Sequence, residues 1–170
     1  MKTPAGCFPL SATPITVRFA DVDMMQVVHH AAYLHWFELV RFHALEVIFG
    51  LTFGDLKAAG LALPLTACAM EFRRGVRFDD KVTGYAQLEL HKKAAFTVHY
   101  GLYRERPEDP DAPGELCVSG STTHCFLDRD NRLLLWTPPL VRDAFEQAVR
   151  RWPGWVRLPA GKLEPVEVTT

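Results

Sequence analysis

Residues 19–49 read FADVDMMQVVHHAAYLHWFELVRFHALEVIF. From about residue 30 onward, at about 100° per residue, Tyr33, Trp36, Phe37, Val40, Ala44, Val47 and Ile48 fall on one arc with no charged member. The opposite arc mixes His35, Glu38, Arg41, His43 and Glu46 with Leu34, Leu39, Phe42, Leu45 and Phe49. A helix with so few purely polar positions needs cover on most of its circumference. Gly50 supplies a C-terminal stop. Immediately before this buried helix the chain places two aspartates, Asp21 and Asp23, and two adjacent histidines, His29 and His30.

Outward from the helix, residues 15–19 (ITVRF) alternate and read as a strand. Residues 51–60 (LTFGDLKAAG) form a variable connection, after which the pattern turns to period two. Residues 63–78 (LPLTACAMEFRRGVRF) read as one long strand, with Gly75 as a bulge. In the next strand Val82, Gly84, Ala86, Leu88 and Leu90 share a face. A tight turn at Lys92, Lys93 and Ala94 then leads to Phe96, Val98, Tyr100 and Leu102. An acidic, proline-rich loop over 105–115 precedes a strand at 116–127, a turn at 128–131 and an amphipathic helix over 138–151 that opens on prolines. Short connections make neighbouring strands antiparallel. The expectation is a single α+β domain, core about 13–150 with peripheral tails, in which a sheet of about five strands wraps one long central helix. The helix's mixed second arc and an exposed sheet edge predict oligomerisation.

Composition limits the function classes. The chain has 170 residues, 48% hydrophobic and 23% charged, with net charge −1; that balance argues against a nucleic-acid surface. No stretch is long and apolar enough for a membrane span, and the first residues carry no secretory pattern. Four cysteines (Cys7, Cys68, Cys117, Cys125) lack paired or metal-ligand spacing, which predicts reduced thiols in a cytoplasmic protein and no metal. SGSTTH at 119–124 lacks a nucleophile elbow and reads as a polar strand face.

The order Asp23, Val27, Val28, His29, His30, Tyr33, Trp36, Phe37, Glu38 resembles the signature of hot-dog-fold acyl-CoA thioesterases of the 4-hydroxybenzoyl-CoA thioesterase family. That signature runs aspartate, two residues, glycine, two apolar residues, an aromatic or histidine, histidine or tyrosine, two residues, tyrosine, then an aromatic. The resemblance covers about residues 13–150 and implies the hot-dog fold. It departs at Gln26, where the family has glycine, and at Ala32, where it often has asparagine.

The chemistry can be stated from the residues. Thioester hydrolysis needs a nucleophile or an activated water and a holder for the developing oxyanion. A carboxylate supplies the first, and free amides at a helix N-terminus supply the second. The resemblance implies Asp23 as nucleophile or general base, in preference to Asp21, and the backbone N–H near His30 as oxyanion donor, with the His30 side chain assisting. It implies that Gln26, Val28, His29, Ala31 and Tyr33 line the substrate site, and that Lys92 and Lys93 meet the nucleotide phosphates of coenzyme A across a subunit interface. Arg73, Arg74 and Arg77 are a second basic cluster. The expected function is hydrolysis of a short-chain or aromatic acyl-CoA by a homodimer or homotetramer that needs no cofactor, coenzyme A being part of the substrate. Alternatives are a hydratase or dehydratase on the same fold, and a non-catalytic acyl-CoA sensor.

Overall fold

The computed structural model describes residue 7 and residues 9–105, 114–153 and 156–157. The long helix, α1 (Ala32–Phe49), is the centre of the molecule. It ends where Gly50 adopts φ +65°; the Gly50 amide donates to Glu46 and the Leu51 amide reaches back to Leu45, so the last carbonyls are satisfied without a clashing Cβ.

Among the described residues six strands form one sheet: β1 (Thr13–Thr16), β2 (Leu65–Phe72), β3 (Lys81–Leu90), β4 (Ala95–Arg104), β5 (Glu115–Cys125) and β6 (Val156–Arg157). Five of them lie antiparallel in the order β1-β3-β4-β5-β2, and β6 pairs parallel with β3. The predicted period-two faces hold: Val82, Ala86, Leu88 and Leu90 of β3 and Phe96, Val98, Tyr100 and Leu102 of β4 are all buried. They close on Trp36, Phe37 and Val40 of α1, each at most 2% exposed. Phe37 stacks on Tyr100 with ring centroids 4.2 Å apart and planes within 7°. Glycines make this approach possible: a Cβ on Gly84 would run into Val40, and one on Gly120 into the Phe37 ring and the Ala69 carbonyl.

Two shorter α-helices follow among the described residues. α2 (Phe53–Ala58) starts at a reciprocal cap: the Thr52 hydroxyl accepts from the Asp55 amide at 3.1 Å, and Asp55 accepts from the Thr52 amide at 2.8 Å. α3 (Pro139–Arg151) lays Val141, Ala144, Phe145 and Ala148 against the core, with Phe145 on Phe49 at 4.3 Å.

Several expectations need correction. β1 occupies Thr13–Thr16 rather than 15–19, because Phe19–Asp21 turns into a 3-10 helix that the Asp21 carboxylate closes on Arg18. Helix α1 begins at Ala32, not residue 30. Val47, assigned to the apolar arc, is 39% exposed, whereas Arg41 and Leu45 are buried. The long strand at 63–78 ends at Phe72. There the amides of Arg73 and Arg74 both donate to the Cys117 carbonyl, so the ladder breaks at Arg73–Arg74 rather than at Gly75. The acidic loop over 106–113 and the tail from 158 lie outside the described residues.

Candidate active site

Two neighbouring aspartates have opposite environments. The Asp21 side chain is 6% exposed and held by Arg18 through Nε at 3.2 Å, Nη2 at 3.0 Å and the Arg18 amide at 2.9 Å. Burial alone would raise its pKa, but the bonds from Arg18 outweigh that and hold it below the usual carboxylate range. Its backbone carbonyl also accepts the His29 amide at 2.8 Å, so Asp21 ties the loop to the helix entrance.

Asp23 opens a tight turn. Its amide donates to Val27 at 2.9 Å, and its carbonyl accepts Gln26 at 3.0 Å. Its Oδ1 accepts the Met25 amide at 2.8 Å, while Oδ2 has no protein partner among the described residues. A bridge between Val22 and Val28 holds the two arms of this hairpin. The turn places Gln26 at φ +59°, the left-handed conformation that glycine adopts without strain. Gln26 thus holds, with a side chain, a backbone conformation that glycine adopts most readily.

At the helix mouth most amides are claimed. Val28 donates to the Val76 carbonyl at 2.7 Å, His29 to Asp21, and Ala32 to the His29 carbonyl at 2.9 Å. Ala31 donates to His29 Nδ1 at 3.2 Å, so that nitrogen carries no proton and the imidazole caps the helix in place of a side-chain hydroxyl. The His30 amide has no acceptor among the described residues. It stands at the positive end of an 18-residue helix. The His30 ring lies on His29 with centroids 4.1 Å apart.

A cavity of about 250 Å³ adjoins this amide, lined by Val27, Val28, His30, Tyr33, Phe72, Arg73, Arg74 and Gly75. Tyr33 packs edge-on to Trp36 and against Phe72. Burial pushes its hydroxyl pKa up to about 12, opposed by a hydrogen bond with the Val76 backbone and reinforced by nearby acids that include Asp23. Of the basic cluster, Arg73 pairs with Glu71 at 2.8 Å and Arg74 with Glu115 at 3.2 Å, while Arg77 has no ionic partner among the described residues. Lys92 and Lys93 stand at the β3–β4 turn and are not part of this cavity's wall.

A second cavity, about 180 Å³, opens on the other flank of α1 between Leu34, His35, Glu38, Arg41, Leu65, Tyr100, Thr122 and His124. The Leu63 carbonyl can only accept, so His124 Nδ1 donates to it at 3.1 Å and Nε2 accepts from Thr122 at 3.0 Å. Tyr100 then donates to Thr122 at 2.7 Å. Burial is the main reason the His124 pKa is lowered. The polar strand face expected at 119–124 thus turns Thr122 and His124 inward. Their alternation with Val118 and Gly120 was the available signal.

The comparisons with known proteins follow this geometry. The thioesterase-like superfamily matches residues 17–157. The chain belongs to that superfamily. YneP of Bacillus subtilis, provisionally named an acyl-CoA thioesterase, is 26% identical over 136 residues, covering 80% of this chain and 90% of that one. A 1,4-dihydroxy-2-naphthoyl-CoA hydrolase of Picosynechococcus is 26% identical over 130 residues, covering 74% and 85%. Among solved structures, the hypothetical protein TT1821 of Thermus thermophilus superposes with TM-score 0.67 at 30% identity, over 77% of this chain and 94% of that one. A DHNA-CoA thioesterase of Staphylococcus aureus superposes with TM-score 0.70 at 23% identity, over 82% and 92%. That likeness establishes the hot-dog fold. Among the described residues no helix is long and apolar enough to cross a membrane, and no cluster of three or more His, Cys, Asp or Glu could hold a metal ion.

Proposed function

We propose that the chain hydrolyses a short-chain or aromatic acyl-CoA to the free acid and coenzyme A, with Asp23 as nucleophile or general base. One observation carries this reading. Within one hairpin–helix junction Asp23 Oδ2 and the His30 amide are both without a protein partner among the described residues, a carboxylate beside a positive helix end, although Asp23 is not itself in the wall of the 250 Å³ cavity. In the transition state the carbonyl oxygen gains negative charge, which the His30 N–H and the helix dipole stabilise. Asp23 attacks the carbonyl carbon or removes a proton from the attacking water, and coenzyme A leaves as the thiol. Val28, Ala31 and Tyr33 shape the pocket. His29 holds the entrance, and Gln26 adds an amide beside the carboxylate.

A second copy completes the site in this reading. Among the described residues nothing pairs with the outer edge of β2, where Leu65 and Phe72 are 45% and 54% exposed, and α1 exposes Leu39 at 56%. An edge this long without lysine or proline invites pairing with another copy. Lys92 and Lys93 of that copy would then meet the nucleotide phosphates. All four cysteines are free thiols, which supports a cytoplasmic setting.

The test is a panel of acyl-CoA thioesters of graded chain length and aromatic acyl groups, followed by release of free thiol. Hydrolysis by wild type and its loss in Asp23→Asn support the proposal. Binding of acyl-CoA without thiol release would instead make the protein a sensor.

A further inference from the structure

Arg73, Arg74 and Gly75 in the wall of the site cavity begin an irregular segment, residues 73–80, that lies outside the strands of the sheet. It nevertheless supplies the Val76 carbonyl that accepts the Val28 amide at 2.7 Å and the backbone that meets the Tyr33 hydroxyl. Gly75 lies against Val27, where an added Cβ would come within 3.1 Å of its side chain. The placement of Val27, Val28 and the neighbouring His30 amide therefore depends on how this segment is fixed.

Arg104, at the end of β4, reaches it from outside. Its Nη1 donates to the Gly75 carbonyl and to Asp80 Oδ2, each at 3.3 Å, and its Nη2 to Glu115 Oε2 at 2.7 Å. Asp80 Oδ2 also accepts the Arg77 amide at 2.8 Å, closing the turn that carries Asp79 at φ +67°. Glu115 in turn holds Arg74 at 3.2 Å. One guanidinium thus clamps the beginning and the end of residues 74–80 to the start of β5, and its planar fork spans acceptors that a single ammonium could not bridge.

We propose that Arg104 is a positioning residue for thioester hydrolysis, acting through the Gly75–Val76 backbone to present the Val28–His30 junction. It touches no reacting atom. The inference rests on the proposed use of the His30 amide, and its test separates the two.

In the full-length protein, Arg104→Gln and Arg104→Lys are compared with wild type by steady-state thiol release and by amide hydrogen exchange. Arg104→Gln is expected to lower kcat about tenfold while KM moves less than about threefold. It should also speed exchange at the Val28 amide about tenfold or more, with the β3, β4 and β5 amides still protected. Arg104→Lys should recover only part of either loss. Should Arg104→Gln not fold, Glu115→Gln removes one leg of the clamp and should give the same pattern in milder form. Unchanged kcat with unchanged Val28 exchange overturns the proposal, and so does uniform loss of protection across the sheet or full rescue by lysine. If wild type hydrolyses no acyl-CoA, the catalytic reading falls, and the exchange at Val28 alone decides the positioning role.

Discussion

Gln26 shows how a single residue can occupy a position shaped for another. Its left-handed φ is required because the turn from Asp23 to Val27 closes within four residues. A non-glycine residue held there carries roughly 1–2 kcal/mol of local strain, partly offset by glycine's greater freedom in the unfolded chain. Gln26→Gly is therefore expected to raise unfolding stability by up to about 1 kcal/mol, read as a shift in urea midpoint without a change in slope. Asp21 and Asp23 divide their labour in the same residue-scale way. Asp21 is consumed by Arg18 and the helix entrance, so Asp21→Asn should loosen the loop. Its lowered pKa means that its contribution to stability is present above the unfolded carboxylate pKa of about 4 and disappears as pH falls below it.

Helix α1 combines a buried body with a polar mouth because its side chains carry the burial, while just before it the His30 amide has no acceptor among the described residues. Phe37 sits between Tyr100 and Gly120 with no exposed surface. Phe37→Ala should cost about 3–5 kcal/mol, seen as a large drop in thermal or urea midpoint. The apolar arc, the period-two strands and the closing helix were legible because burial writes directly into spacing. The departure at Gln26 was legible too, and the structure holds that residue at φ +59°. What the spacing did not reveal was controlled by tertiary partners. Arg41 looks like a surface residue, yet it is buried beside Glu38 with its guanidinium over Phe42. The end of β2 at Phe72 depends on two amides sharing one Cys117 carbonyl, and the clamp at Arg104 joins residues about thirty positions apart. Two local signals were missed: the Thr52–Asp55 capping pair at α2 and the period-two face that turns Thr122 and His124 of β5 inward.

At the scale of the molecule, two consequences follow. The β2 edge and the apolar surface beside it predict a dimer, so Ala67→Pro, which sets a proline into that strand, should shift sedimentation toward monomer. Loss of thioesterase activity should accompany that shift if the second copy completes the site. His124 is buried and its pKa lowered, so the unfolded chain takes up its proton first on acidification. Its contribution to stability is therefore complete above the unfolded pKa of about 6.5 and declines as pH falls below that value. Urea midpoints measured from pH 8 to 5 should fall, and fall less in His124→Gln. The catalytic account itself rests on one carboxylate oxygen left free in a loop where its neighbour is fully engaged. The direct measurement is thiol release from the best acyl-CoA of a panel by wild type and Asp23→Asn, with folding checked by urea midpoint. The account predicts a fall in kcat of about a hundredfold or more at unchanged stability. Hydrolysis by Asp23→Asn near the wild-type rate would contradict it.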